Sequence, residues 1–131
     1  MYEVRVTADF AAAHFLRDYH GKCERLHGHN YTVYAHVRGE TLDAGGMLVD
    51  FTVLKDALRT VVGALDHTNL NDNSVFAQNP SAERIARYVY DGLLAELAAQ
   101  GTDVSGKDGC ARLCAVDVFE TATSRARYVP D

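Results

Sequence analysis

The densest group of side chains that could carry chemistry lies in residues 20 to 31, which include a thiol, a carboxylate, two cationic side chains and three imidazoles. If residues 27 to 31 open a strand, His27 and His29 point to the same face, because strand side chains alternate with a period of two. Two adjacent imidazoles repel each other when protonated and leave lone pairs unused when neutral. A shared metal ion is therefore the natural partner of this pair.

His14 is the candidate third ligand, at the end of the first predicted strand. It can meet His27 and His29 only if the first two predicted strands are neighbours. Three neutral imidazoles leave a zinc ion its full charge and an open fourth position, which is how catalytic zinc is held. The alternative is that His14 is an ordinary core or surface histidine and that the His-Gly-His segment merely lies in a loop. The residues alone leave both interpretations open.

Cys23 and Glu24 precede His27 by four and three positions, so their side chains could line the same cavity. A nearby dication would favour the thiolate form of Cys23, which could then act as a base or a nucleophile. An ordinary loop cysteine explains the residue equally well.

Asp66 and His67 form a second candidate acid/base pair, placed directly after a predicted helix. A carboxylate can orient an imidazole and raise its basicity. A turn that terminates the helix accounts for this dipeptide equally well.

Glu120 ends a predicted strand with apolar neighbours, and a carboxylate in such a position needs a partner. A ligand that offers two adjacent N–H groups would match both carboxylate oxygens, as an arginine does. The alternative is an ion pair with Arg125 or Arg127 within the chain.

The composition fits one globular domain over residues 1–131, of which 47% are hydrophobic and 24% charged. The formal net charge is −5 and the Lys and Arg residues are scattered, which argues against a nucleic-acid-binding protein. No apolar run approaches the roughly 18 residues of a membrane span, and the first residues lack the pattern of a signal peptide. We therefore expect a cytoplasmic protein without membrane or nucleic-acid partners.

The elements that would position these residues follow from hydrophobic patterns. Residues 2–10 and 31–38 alternate between apolar and polar side chains, which predicts two strands. Apolar residues recur at helical spacing from the candidate cap Thr52 to about residue 65, and again from the Asn79-Pro80-Ser81 start, with Asn79 as a candidate cap, to Gly101. Residues 112–120 and 125–129 predict two further strands.

This order of elements, ββααββ, indicates the α+β class, with one four-stranded antiparallel sheet and both helices on one face. In such a sheet His36 falls on the face opposite to His27 and His29, and we interpret it as structural or solvated. The two open edges of the sheet favour a homo-oligomer, because edge-to-edge association would cover them.

Several motifs together resemble the 6-pyruvoyltetrahydropterin synthase and 6-carboxytetrahydropterin synthase family. They span nearly the whole chain, and the cysteine-to-His-Gly-His and Leu-Asp-His motifs are the most specific of them. The matching segments are Ala12-Ala13-His14, Cys23-Glu24-Arg25-Leu26-His27-Gly28-His29-Asn30-Tyr31, Gly46-Met47-Leu48-Val49-Asp50-Phe51, Leu65-Asp66-His67-Thr68-Asn69-Leu70-Asn71, Asn79-Pro80-Ser81-Ala82-Glu83 and Glu120-Thr121.

The resemblance implies a tunnelling fold (T-fold), in which each subunit adds four strands to a trimeric barrel and two trimers stack into a homohexamer. It also implies a Zn2+ cofactor bound by His14, His27 and His29, with 7,8-dihydroneopterin triphosphate as the small-molecule substrate. Zinc would polarise hydroxyl groups of the substrate side chain and so acidify the adjacent C–H.

The same resemblance implies a role for each remaining site residue. Cys23 would be the base that abstracts a proton, and Asp66 and His67 would form the acid/base relay on the other face of the substrate. Glu120 would hold the amino-pyrimidinone edge of the pterin. The outcome is elimination of triphosphate with redistribution of hydrogens, so no redox cofactor is needed.

The spacing of four residues between Cys23 and His27, together with Asp50-Phe51, favours the branch of the family that forms 6-carboxy-5,6,7,8-tetrahydropterin for queuosine and other deazapurines. Glu24 is a candidate product-determining residue, because some relatives with a glutamate there cleave the side chain to give 6-hydroxymethyl-dihydropterin for folate synthesis. Three further functions stay open: pyruvoyltetrahydropterin formation, a metal- and pterin-binding subunit without turnover, and a generic zinc hydrolase.

Overall fold

The computed structural model describes residues 1–17 and 25–131, so Cys23 and Glu24 lie outside the described residues. The chain forms β1 (Tyr2–His14), β2 (His27–Gly39), α1 (Phe51–Gly63), β3 (Thr68–Asn69), α2 (Ala82–Ala99), β4 (Arg112–Thr121) and β5 (Ser124–Tyr128), with short 3-10 turns at Leu70–Asp72 and Ser74–Phe76. The predicted α+β class and the two predicted helices are confirmed.

The strands form one sheet in the order β3-β1-β2-β4-β5. The four predicted strands are present, and their mutual pairings are antiparallel as expected. The predicted count of four is wrong by one, because Thr68 and Asn69 pair in parallel with Ala12 and Ala13 as an additional strand. A strand of two residues is too short to show an alternating pattern, so nothing in the hydrophobic pattern indicates it.

β1 and β2 pair without interruption, from Tyr2 opposite Gly39 to His14 opposite His27. Residues 11–14 therefore continue the first strand, and residues 27–30 open the second. The expectation that these two strands are neighbours is confirmed.

The apolar core lies between the sheet and the two helices. Phe10 and Tyr31 stack on this face with ring centroids 4.7 Å apart, and the helices contribute the fully buried Leu58 and Leu93. Burying a side chain of this size stabilises the fold by about 1.5–3 kcal/mol. Within residues 1–17 and 25–131, neither helix is long and apolar enough to cross a membrane.

The helix caps differ from the predicted ones. Asp50 rather than Thr52 caps α1, because its Oδ1 accepts the Thr52 N–H at 2.8 Å. Ser81 rather than Asn79 caps α2, where its Oγ accepts the Arg84 N–H at 3.3 Å. Both caps satisfy a backbone donor that the first helical turn leaves unpaired.

The sheet face away from the helices carries a polar network centred on Asp117, which is 3% exposed. Its carboxylate accepts hydrogen bonds from His36 Nε2 at 2.7 Å and from Arg127 Nε and Nη2 at 2.7 and 2.9 Å. Burial alone would raise the pKa of Asp117, but the hydrogen bonds from Arg127 and His36 outweigh burial and hold the pKa below its usual range. His36 is therefore a structural residue on the face opposite to His27 and His29.

This network predicts an acid-sensitive contribution to stability. A carboxyl group whose pKa is lowered by folding stabilises the fold above its unfolded pKa, and that contribution is lost as the pH falls through the folded pKa. We expect Asp117→Asn to lower the free energy of unfolding at pH 7 by about 2–4 kcal/mol. The variant should also lose less stability than the wild type below about pH 4.

Urea unfolding at a series of pH values from 7 to 3 would measure both effects. Asp9→Asn is the matched control, because Asp9 is exposed on β1 and its substitution should change stability by less than about 0.5 kcal/mol. Identical acid profiles for Asp117→Asn and the wild type would contradict the assignment.

Candidate metal centre

β1 and β2 bring three histidines together at one end of their pairing. His14 ends β1 directly opposite His27, which begins β2, and His29 follows on the same face of β2. The candidate ligand atoms of the three side chains all lie within 4.8 Å of one another. Because residues 27–29 belong to β2, the alternative in which His-Gly-His lies in a loop is wrong.

Backbone carbonyls orient two of these imidazoles. His14 Nδ1 lies 2.8 Å from the Pro80 carbonyl oxygen, and His27 Nδ1 lies 2.6 Å from that of Arg25. A carbonyl oxygen only accepts hydrogen bonds, so each Nδ1 is assigned the proton and each Nε2 a lone pair. The two Nε2 atoms are 3.0 Å apart, and two lone pairs at that distance need a cation between them.

Burial keeps the site in the form that binds a metal. His14 is fully buried, and burial lowers the pKa of His14 and of His29 despite the opposing attraction of the Glu120 carboxylate. Among the described residues, His29 Nε2 is a buried side-chain atom without a hydrogen-bond partner. Neutral imidazoles whose nitrogens converge in this way are a ligand set that could hold a metal ion.

Glu120 faces these histidines rather than the arginines. Its Oε1 lies 3.2 Å from His14 Nε2 and 3.4 Å from His29 Nε2. Arg127 and Arg125 instead contact Asp117, at 2.7 and 3.6 Å, so the alternative of an ion pair between Glu120 and these arginines is wrong.

Glu120 also lines a cavity of about 260 Å³ near the start of α2 and the β5 strand. Its remaining lining residues are Ala82, Glu83, Ser124, Arg125, Ala126 and Arg127. Glu120 thus contributes to the lining of a cavity and also places one carboxylate oxygen beside two imidazole nitrogens.

Asp66 and His67 form a hydrogen-bonded pair beside β1. Asp66 Oδ2 lies 2.8 Å from His67 Nδ1, and its Oδ1 accepts the Ala11 N–H at 2.9 Å. The hydrogen bond from the Ala11 backbone, followed by that from His67, lowers the pKa of Asp66. The His67 side chain is 83% exposed, and across residues 1–17 and 25–131 no hydrogen bond or ion pair links this pair to the three histidines.

Two asparagine side chains hold the chain where it leaves β1. Asn71 binds both the N–H and the carbonyl of Phe15, at 2.8 and 2.9 Å. Asn79 binds the same groups of Arg17, at 2.7 and 3.4 Å. Sequence reasoning missed this role, because asparagines in a turn-rich segment are equally typical of turns and caps.

Comparison with known proteins assigns a family to this arrangement. A family model described as 6-pyruvoyl tetrahydropterin synthase matches residues 3–131. The chain is similar to the 6-carboxy-5,6,7,8-tetrahydropterin synthase of Bacillus subtilis, with 39% identity over 98% of this chain and 86% of that protein. It is also 39% identical to the protein of the same name from Synechocystis, over 91% of this chain and 86% of the relative.

A solved structure supports the same fold. The chain superimposes on Caenorhabditis elegans 6-pyruvoyl tetrahydropterin synthase with a TM-score of 0.82 and 25% identity, covering 99% of this chain and 96% of that one. The expectation of a T-fold subunit is confirmed by this likeness.

The convergence of the imidazoles predicts that the protein binds zinc through them. We expect His29→Ala to weaken zinc binding by more than about 100-fold, because a lost ligand should cost more than a lost outer-shell partner. Zinc per chain, measured by mass spectrometry of metal after dialysis, reports the loss. His67→Ala is the matched control and should retain zinc, whereas full zinc occupancy in His29→Ala would contradict the site.

Proposed function

The chain belongs to the 6-pyruvoyl tetrahydropterin synthase family, and from this membership we propose that it is a zinc-dependent carbon–oxygen lyase. The proposed reaction converts 7,8-dihydroneopterin triphosphate and water to 6-carboxy-5,6,7,8-tetrahydropterin, with release of triphosphate and of the two outer side-chain carbons as acetaldehyde. This reaction lies on the route to queuosine and other deazapurines. The observation that carries the proposal is the convergence of His14, His27 and His29 in a chain 39% identical to two proteins named for this product.

His14, His27 and His29 would hold the zinc ion, with the carbonyls of Pro80 and Arg25 fixing two of the rings. Bound zinc would supply a Lewis acid that polarises the hydroxyl groups of the substrate side chain and so acidifies the adjacent C–H. The chain itself must then remove that proton and return one elsewhere.

Cys23 would remove the proton, as the resemblance of its motif implies. Asp66 and His67 would serve as the partner relay. Asp66 holds the Nδ1–H of His67, which leaves the exposed Nε2 free to accept or deliver a proton. Because the pKa of Asp66 is lowered, its carboxylate stays charged at neutral pH and keeps the His67 ring oriented through this hydrogen bond.

Glu120 would accept hydrogen bonds from the amino-pyrimidinone edge of the pterin. The cavity beside its carboxylate supports this role, as does the engagement of Arg125 and Arg127 with Asp117 instead. Two adjacent N–H donors match the two oxygens of one carboxylate.

We also propose a cytoplasmic homohexamer formed from two trimers. β3 covers β1 only at Ala12 and Ala13, so most of the outer edge of β1 carries no neighbouring strand within the described chain. A long edge of this kind favours pairing with a strand of another subunit.

The identity of the product is the most specific part of the proposal. A relative from Drosophila melanogaster, 44% identical over 82 residues that cover 59% of this chain, is named 6-pyruvoyl tetrahydrobiopterin synthase. Formation of a pyruvoyl product is therefore the second candidate, and side-chain cleavage involving Glu24 is the third.

Product analysis tests the reaction. Incubation of the zinc-loaded protein with 7,8-dihydroneopterin triphosphate should release 6-carboxy-5,6,7,8-tetrahydropterin, identified by mass spectrometry. Detection of 6-hydroxymethyl-dihydropterin alone would overturn the proposal and make Glu24 the base of interest. In that case Glu24→Gln should abolish the product.

Replacement of the thiol tests the role of Cys23. We expect Cys23→Ala to lower kcat by about 10²–10⁴-fold, the usual loss on removing a general base, while zinc content stays unchanged. Cys110→Ala, on the connection between α2 and β4, should retain activity. Equal inactivity of the wild type and Cys23→Ala with zinc bound would favour a binding subunit, and full activity of Cys23→Ala would favour a zinc hydrolase.

A further inference from the structure

We propose that Asn79 is a positioning residue of the metal centre. Its amide holds the Pro80 carbonyl at the Nδ1 of His14, and the Nε2 of this imidazole is thereby presented to the metal. The inference rests on the proposed function for the identity of the metal as zinc. It goes beyond that function because it makes zinc affinity depend on a side chain that is not itself a ligand.

His14, Arg17, Asn79 and Pro80 form a closed ring of contacts. Asn79 Oδ1 accepts the Arg17 N–H at 2.7 Å, and its Nδ2 donates to the Arg17 carbonyl at 3.4 Å. Arg17 lies three residues beyond His14, and the residue after Asn79 is Pro80. The Pro80 carbonyl oxygen lies 2.8 Å from His14 Nδ1. The chain that leaves His14 and the imidazole ring of His14 are therefore tied to the same short segment.

Asn71 reinforces this ring of contacts by the same means. Its Oδ1 accepts the Phe15 N–H at 2.8 Å, and its Nδ2 donates to the carbonyls of Phe15 and Gln78 at 2.9 and 3.3 Å. A side-chain amide offers the donor and the acceptor of a peptide group. Asn71 and Asn79 therefore bind alternate residues of the segment 15–17 as a neighbouring strand would, and they continue the cover that β3 gives to β1.

The turn that presents Asn79 has an unfavourable backbone conformation. Ala77 and Gln78 have φ angles of 50° and 63°, in the left-handed region that is costly for residues other than glycine. Such residues persist only where surrounding contacts hold them, and they recur at functional sites. The chain keeps two of them in succession at the point that directs the Asn79 amide and the next carbonyl towards the end of β1.

Another asparagine of the same segment shows what an ordinary turn asparagine does. Asn73 accepts the N–H of Val75, two positions ahead, at 3.1 Å, a local contact that is typical of turns. Asn79 instead binds Arg17, 62 positions away in the chain. Asn73 is therefore a matched control of the same residue type, without the contact to the chain that leaves His14.

Zinc affinity and the tautomer of His14, measured on the full chain without substrate, test the role of Asn79. Asn79→Ala removes both hydrogen bonds to Arg17. We expect it to weaken zinc binding about 10–100-fold in competition with a chelating dye, the usual loss when outer-shell support of a ligand is removed. In the metal-free protein, long-range 1H–15N NMR spectra should show His14 protonated on Nδ1 in the wild type and a mixture of tautomers in Asn79→Ala. Asn73→Ala should match the wild type in both measurements.

Two further variants separate positioning from general stability. Val37 is fully buried near the far end of β2, so Val37→Ala should lower the urea midpoint of the metal-free protein through a lost core contact. It should leave the zinc affinity and the His14 tautomer unchanged. Asn79→Ser keeps a polar side chain that is too short to bind both backbone groups of Arg17. It should show the same zinc loss, and it replaces Asn79→Ala if that variant does not fold.

Unchanged zinc affinity and an unchanged His14 tautomer in the Asn79 variants would overturn the proposal. Equal losses of zinc affinity in Val37→Ala and in the Asn79 variants, at equal losses of stability, would also overturn it, because the site would then respond to stability alone. Neither measurement involves turnover. Formation of the carboxylated product by a protein whose zinc affinity ignores Asn79 would leave the lyase standing, and a zinc loss in a protein without turnover would leave the role of Asn79 standing.

Discussion

The site depends on one constraint, the register of β1 against β2. Thirteen consecutive pairs run from Tyr2 opposite Gly39 to His14 opposite His27, and a slip of one residue would move every side chain of one strand to the other face. The stacked pair of Phe10 and Tyr31 resists such a slip, because it would expose one ring. The same apolar contacts that build the core therefore set the distance between the histidines.

The two faces of the sheet differ in the partners of their carboxylates. On the face away from the helices, Asp117 receives a bidentate arginine and a histidine, so its charge is balanced within the chain. On the helix face, the Glu120 carboxylate instead lies 3.2 and 3.4 Å from the Nε2 atoms of His14 and His29, and none of its described partners is a lysine or an arginine. The carboxylate of Asp117 is thus neutralised by side chains of the chain itself, whereas that of Glu120 lies beside the three histidines that could hold a metal ion.

Hydrophobic periodicity predicted the class, the helices and the principal strands, because each of those segments is long enough to show its repeat. Periodicity could not choose the partner of Glu120. Arg127 lies directly across from Asp117 in the β4–β5 pairing, and Arg125 lies across from Phe119. Both arginines therefore contact Asp117 rather than Glu120. This outcome depends on the strand register, which the hydrophobic pattern does not reveal. Likewise, the Pro80 carbonyl that orients His14 is a backbone group, and no residue type in the sequence signals its direction.

Residues 79 and 80, which directly precede the cap of α2, connect the position of this helix to the metal site. Asn79 holds the chain leaving β1 through Arg17, and the next residue, Pro80, accepts the Nδ1 proton of His14. The helix that follows is packed into the core through Ile85, Val89 and Leu93. The position of α2 in the core therefore fixes the carbonyl that orients His14. Substitutions on the buried face of α2 can thus change the orientation of this imidazole without altering a residue that contacts the substrate.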